Sequence, residues 1–171
     1  NRWIIAITID TYDIDFRVNE GSTPSVGSGP DVDHTLGNAV GNYVYLEASA
    51  CFNKSANLIS PCIDLTNATT PQMTFWYHMF GGDIGELHID IFTQGGWLND
   101  AIPALIGNQG NLWNQAVVNL QPWAGDVINI RFRAETGGGI ESDIALDDIN
   151  IIESSAPPVP AFAVSATTGC A

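Results

Sequence analysis

The chain has 171 residues, 45% hydrophobic and 14% charged, with 19 acidic against 5 basic side chains and a net charge of −14. This length fits one domain with a substantial core, and the apolar fraction excludes a disordered polyelectrolyte. The acidic balance opposes binding to nucleic acid or anionic membranes, and no apolar run approaches the roughly 20 residues that span a bilayer.

Taken in order, the chain starts without Met and without a signal peptide, which reads as a mature piece of a longer precursor. Alternating runs follow instead of helical periodicity. NYVYLEAS (residues 42–49) sets Tyr43, Tyr45 and Glu47 against Val44, Leu46 and Ala48. QMTFWYHMF (72–80) sets Phe75, Tyr77 and Met79 against Trp76, His78 and Phe80. ELHIDIFTQ (86–94) sets Leu87, Ile89 and Ile91 against His88, Asp90 and Phe92. QAVVNL (115–120), DVINIRFRAE (126–135) and DIALDDINII (143–152) complete the set. Period-2 runs separated by Gly- and Pro-rich breakers predict an all-β chain, a jelly-roll β-sandwich of two antiparallel sheets. From residue 154 the alternation stops. SSAPPVPAFAVSATTGCA predicts a Pro/Ala/Ser/Thr-rich linker over 154–171, following one domain over 1–153.

Cys51 and Cys62 stand ten residues apart in strand-like sequence, and Cys170 lies in the tail. A Cys51–Cys62 disulfide suits a secreted protein; two free thiols are the alternative. NKS at Asn53 and NAT at Asn67 fit the N-glycosylation pattern.

The runs STPSVGSGPDVDHT (22–35), GNYVYLEAS (41–49), LISP (58–61), MTFWYHMFG (73–81), GNQGNLWNQAVVNL (107–120) and DIALDDI (143–149) closely resemble the MAM domain of meprins, neuropilin-type receptors and receptor tyrosine phosphatases. The resemblance implies a jelly roll that is extracellular, non-catalytic and used for adhesion or recognition. It also implies a cation site near the start of the domain and the final strand. One departure is clear: NRWIIAITIDTYDIDF replaces the usual opening, without its cysteine. The scarcity of Lys, the Asn and Gly content and the Pro-rich tail read as a bacterial secreted protein.

Two constellations carry candidate chemistry. The first is acidic. A hard cation such as Ca²⁺ takes six to eight oxygens, and Asp13, Asp33, Glu47 and Asp148 are the candidate ligands of one structural Ca²⁺ tying the early loop to the last strand. Asp147 and Asp148 should point to opposite faces of their strand, so one at most would serve a given site. The second is a recognition face. If His88, Asp90, Arg131 and Arg133 leave the core together with Trp76 and His78, one sheet surface collects rings, imidazoles and guanidiniums. With Trp97 from a glycine-rich loop, that mixture suits a polysaccharide, including an anionic algal one held by paired arginines. The competing expectation is that Arg131 or Arg133 merely pairs with Asp90 across strands. Trp113 is expected to cap the core and Trp123 to pack under its own turn. No nucleophile or zinc-protease motif appears, so the chain reads as no enzyme. The functional expectation is a carbohydrate-binding module beside companion domains of a secreted protein, with protein–protein adhesion as the alternative.

Overall fold

The computed structural model describes residues 14–153 and the backbone of a short strand at Ile4–Ile5. Asp13, Cys170 and the linker expected over 154–171 lie outside the described residues. In chain order the strands are β1 (Ile4–Ile5), β2 (Phe16–Glu20), β3 (Asn42–Leu46), β4 (Ser55–Ile59), β5 (Ile63–Asp64), β6 (Pro71–Met79), β7 (Glu86–Thr93), β8 (Gly96–Leu98), β9 (Leu105–Ile106), β10 (Asn114–Asn119), β11 (Val127–Glu135) and β12 (Ile144–Glu153). A short 3-10 turn at Gln121–Trp123 joins β10 to β11, and Trp123 packs against the core beneath it, as expected.

Both sheets are antiparallel. The first runs β1-β4-β11-β7-β8, with β5 beside the start of β11 and β9 beside the start of β7. The second runs β10-β6-β12-β3-β2. The alternation read from sequence sets the faces. Ile128, Ile130, Phe132 and Ala134 of β11 are buried together with Leu87, Ile89 and Ile91 of β7. Phe75, Tyr77 and Met79 of β6 meet them from the other sheet; the Phe75 and Phe132 rings cross edge-to-face with centroids 4.9 Å apart. Each of the Leu, Ile, Phe and Met side chains among them contributes about 1.5–3 kcal/mol through burial. The outcome is a jelly-roll β-sandwich in which strand periodicity alone decides what points inward.

Two irregularities place functional side chains. Residues 21–41, between β2 and β3, fold across the outer face of the second sheet; the Gly29 and Ser28 anchors both reach the Phe80 carbonyl. In β12, Asp147 opposes Trp76 and Asn150 opposes Thr74, so Asp148 and Ile149 together face the single position of Phe75. This bulge holds Asp148 at φ +47, the left-handed region that Asp tolerates better than most residues.

The expected disulfide is not formed: Cys51 and Cys62 are free thiols. They flank β4 at opposite ends, and five residues of strand at about 3.3 Å each exceed the roughly 7 Å between Cα atoms that a disulfide bridges. Cys51 packs against the core, while Cys62 is exposed beside Asn129.

Candidate functional site

On the outer face of the first sheet, the register sets Arg131 opposite Asp90 and Arg133 opposite His88. Asp90 is 0% exposed and receives Arg131 Nε at 2.8 Å, Arg131 Nη2 at 2.6 Å and Arg133 Nε at 3.0 Å. The backbone N–H of Asp100 adds a bond at 3.0 Å. Burial works to raise the Asp90 carboxyl, but the bonds from Arg133, Asp100 and Arg131 prevail and hold it below the ordinary carboxylate range. The cross-strand pairing expectation therefore holds, with both arginines on one carboxylate.

That carboxylate fixes everything above it. The Arg131 guanidinium carbon lies 4.2 Å from the Trp97 ring centroid, and Arg131 also donates to Asn99. Trp97 is 37% exposed and packs at 5.3 Å from Phe92, itself 38% exposed, because β7 and β8 pair those two residues directly. His88 Nδ1 meets Asp100 at 2.6 Å and its Nε2 lies 3.1 Å from Glu86. Arg133 reaches Glu135 at 2.9 Å. The result is a two-ring apolar platform, stiffened from beneath by an ion network centred on the buried Asp90 and rimmed by polar side chains. Asn99 and Asp100 were missed by the sequence reading. Their only signal was a position just after the exposed Trp97.

Trp76 and His78 are not on this face. They leave the core from the second sheet, on the opposite side of the sandwich, so the single recognition surface expected from alternation divides in two. There the loop over 21–41 covers them. His78 is 2% exposed, with Nε2 against Asn111 Oδ1 at 3.1 Å, and burial lowers its pKa. The His34 ring stacks on Trp76 at 3.7 Å, and Trp113 packs edge-on against Tyr43, His78 and His34. Trp113 donates to the Val32 carbonyl, so it fastens the loop to the sheet instead of capping the main core.

Among the described residues, the expected calcium ligands Asp33, Glu47 and Asp148 do not converge either. Asp33, 1% exposed, accepts the N–H groups of Leu36 and Asn38 and organises its own loop. Asp148 accepts from Thr35 and meets His34 Nδ1 at 2.7 Å. Asp147 accepts the His34 N–H at 2.9 Å, so the bulge brings both aspartates to one residue, contrary to simple alternation. Glu47 stands apart, bonded to Ser25, Ser49 and Tyr45. Among the described residues, no three His, Cys, Asp or Glu side chains gather as a metal set. A different pair does meet: Ser25 Oγ bonds both Glu47 and Asp143. Asp143 is 0% exposed and its Oδ2 has no partner. Burial raises the Asp143 pKa, the Glu47 charge adds to it, and the bonds from Ala48 N–H, Thr23 and Ser25 oppose it. Asp143 was missed because nothing in the sequence marks it off from the aspartates of the following strand.

Two antiparallel sheets packed face to face, one with a stiffened aromatic platform and the other covered by a long loop, define an all-β jelly-roll domain. Residues 10–156 match the family described as MAM domain, meprin/A5/mu, and the chain belongs to that family. It is 32% identical over 154 residues to neuropilin-1a of Danio rerio, covering 85% of this chain and 16% of that protein. It is 34% identical over 139 residues to MAM domain-containing glycosylphosphatidylinositol anchor protein 1 of Gallus gallus, covering 80% of this chain and 14% of that one. The chain thus spans under a fifth of these relatives. Both are vertebrate proteins and do not bear out the bacterial origin read from composition. Solved structures share the fold as well, among them these two. The carbohydrate-binding module TmCBM61 in complex with β-1,4-galactotriose has a TM-score of 0.52 at 15% identity, covering 89% of this chain and 88% of that one. A cyclase from Fischerella sp. TAU has a TM-score of 0.52 at 12% identity, covering 88% and 87%. Among the described residues, no helix is long and apolar enough to cross a membrane.

Proposed function

We propose that this domain is a non-catalytic module of a secreted or cell-surface multidomain protein, and that it binds a polysaccharide on the outer face of the first sheet. The observation that carries this reading is Trp97, partly exposed, resting against Arg131, which a fully buried Asp90 holds in place. Sugars take flat apolar rings against their C–H faces and fixed polar groups at their hydroxyls. A platform locked before the ligand arrives loses little side-chain entropy on binding. The paired guanidiniums argue for a neutral glycan over the anionic one. Arg131 and Arg133 share their surroundings with Glu86, Asp90, Asp100 and Glu135, so an incoming carboxylate or sulfate finds no free cation.

The test is affinity electrophoresis of the chain through gels holding neutral or anionic polysaccharides. Retardation by a neutral polymer, abolished in Trp97→Ala while its cooperative unfolding is kept, supports the reading. Retardation that survives Trp97→Ala sinks the site. Protein–protein adhesion is the second reading, favoured by the kinship with large multidomain proteins, and it takes over if no polymer retards the chain.

A structural Ca²⁺ belongs to the same proposal, on the expected Glu47 and on Asp143, which takes the place of Asp33 and Asp148. Glu47 and Asp143 would hold it, since Asp143 Oδ2 is buried without a partner and both carboxylates share Ser25. The ion would neutralise that pair and join the end of β3 to the start of β12, beside Ser25 of the long loop. Addition of Ca²⁺ should raise the melting temperature, and Asp143→Asn should remove the effect.

A further inference from the structure

Long, flat, uncharged sheet edges invite another strand, and proteins ordinarily blunt them with charge, brevity or cover. Among the described residues the outer strands of the first sheet are two or three residues long: β1, β8 and β9. At one end of the second sheet, β2 carries Arg17 and Glu20. The other end is β10, NQAVVN, six residues without charge, Pro or Gly. β6 pairs with one side of it, and among the described residues no strand pairs with the other. On the outer face Val117 is 54% exposed between the exposed Gln115 and Asn119. The neighbouring row of β6 is uncharged as well, with Trp76, Thr74 and Gln72 opposite these three residues.

We propose that β10 is a self-pairing edge, joining two copies of this domain into one ten-stranded antiparallel sheet. Directly opposed residues of antiparallel strands share a face, so a twofold axis normal to the sheet must lie midway between one residue and its own copy, not level with a peptide between two residues. Centred on Val117, it sets Val117 against Val117 of the second copy on the outer face, with Gln115 against Asn119. Ala116 meets Val118 on the inner face. Gln and Asn each donate and accept, so their pairing is self-complementary, as an isologous contact requires. Charge selects the same edge. Two molecules of net −14 repel, and they approach most readily through a surface without carboxylates. One strand pair buries little area, so the dimer is weak and concentration-dependent. It places two Trp97 platforms in one assembly, which would strengthen attachment to a repeating polymer. The dimer itself does not depend on the carbohydrate reading.

Sedimentation velocity on the 171-residue chain, without any glycan, tests it. The wild type should shift from monomer to dimer as concentration rises. Val117→Lys, which sets like charges on the axis, should stay monomeric at every concentration with its melting temperature unchanged. A short bifunctional thiol reagent should link Val117→Cys into covalent dimers far beyond the level of the parent chain and its own cysteines. Asn119→Cys, which faces Gln115 instead of itself, should not exceed the parent. A wild type that stays monomeric throughout, or a dimer that Val117→Lys leaves intact, overturns the proposal.

Discussion

Asp90 holds the candidate site together, and its energetics follow from its isolation from water. Replacing it with Ala leaves Arg131 only Asn99 and Arg133 only Asp100 and Glu135, with both guanidiniums partly open to water. The loss should be about 1–3 kcal/mol, the range for removing one partner of a buried hydrogen-bonded group; chemical denaturation measures it. Its pH signature has a definite sign. The folded pKa lies below the unfolded value of about 3.9, so the stabilisation is present above that value and fades as pH falls through the folded pKa. Asp90→Asn should therefore differ from wild type near neutrality and approach it in strong acid. Trp97→Ala, by contrast, removes a partly exposed ring and one cation–π contact, which should cost only about 1 kcal/mol of stability while abolishing glycan retention.

At the level of the element, the long loop between β2 and β3 decides which aromatic side chains remain open to ligand. The contacts that fasten it to the sheet include Ser28 on Phe80 and Asp143, His34 on Asp147 and Asp148, Thr35 on Asp148, and Trp113 on Val32. Asp148→Ala removes two of these contacts at the bulge. Amide hydrogen exchange should then quicken through the loop, at His34 above all, while β11 keeps its protection. Within the loop, Gly41 lies so close to the Asp33 carboxylate that an added methyl would collide with it. Gly41→Ala should disturb the turn that Asp33 holds through Leu36 and Asn38, lowering the melting temperature.

Across the whole molecule, Asp143 supplies a pH dependence opposite to that of Asp90. Its folded pKa is raised, so without a cation its contribution is present below the unfolded value of about 3.9 and is lost as pH rises through the folded pKa. Bound Ca²⁺ would favour the ionised form and cancel that loss. Melting curves of wild type and Asp143→Asn across this range, with EDTA and with Ca²⁺, should diverge in EDTA and converge when wild type is loaded. Identical curves in both buffers would remove the cation from the account.

The sequence by itself determined the strands β3, β6, β7, β10, β11 and β12, the faces of those that alternate, and the family, while β1, β2, β4, β5, β8 and β9 carried no run long enough to read. Successive side chains of a strand point to opposite sides whatever its neighbours are, so alternation was enough to bury Phe75, Ile89 and Phe132 and to turn Arg131 and Arg133 outward. Strand order was beyond its reach, because pairing between distant segments leaves no local pattern. Only the tertiary structure could put Trp76 and His78 on one side of the sandwich and Arg131 and Trp97 on the other. It also set Cys51 and Cys62 at opposite ends of β4. The bulge at Asp148 shows the same limit within a single strand: one extra residue reversed the expected divergence of Asp147 and Asp148, and both came to hold His34. Periodicity fixes direction, whereas proximity is decided only when the sheets assemble.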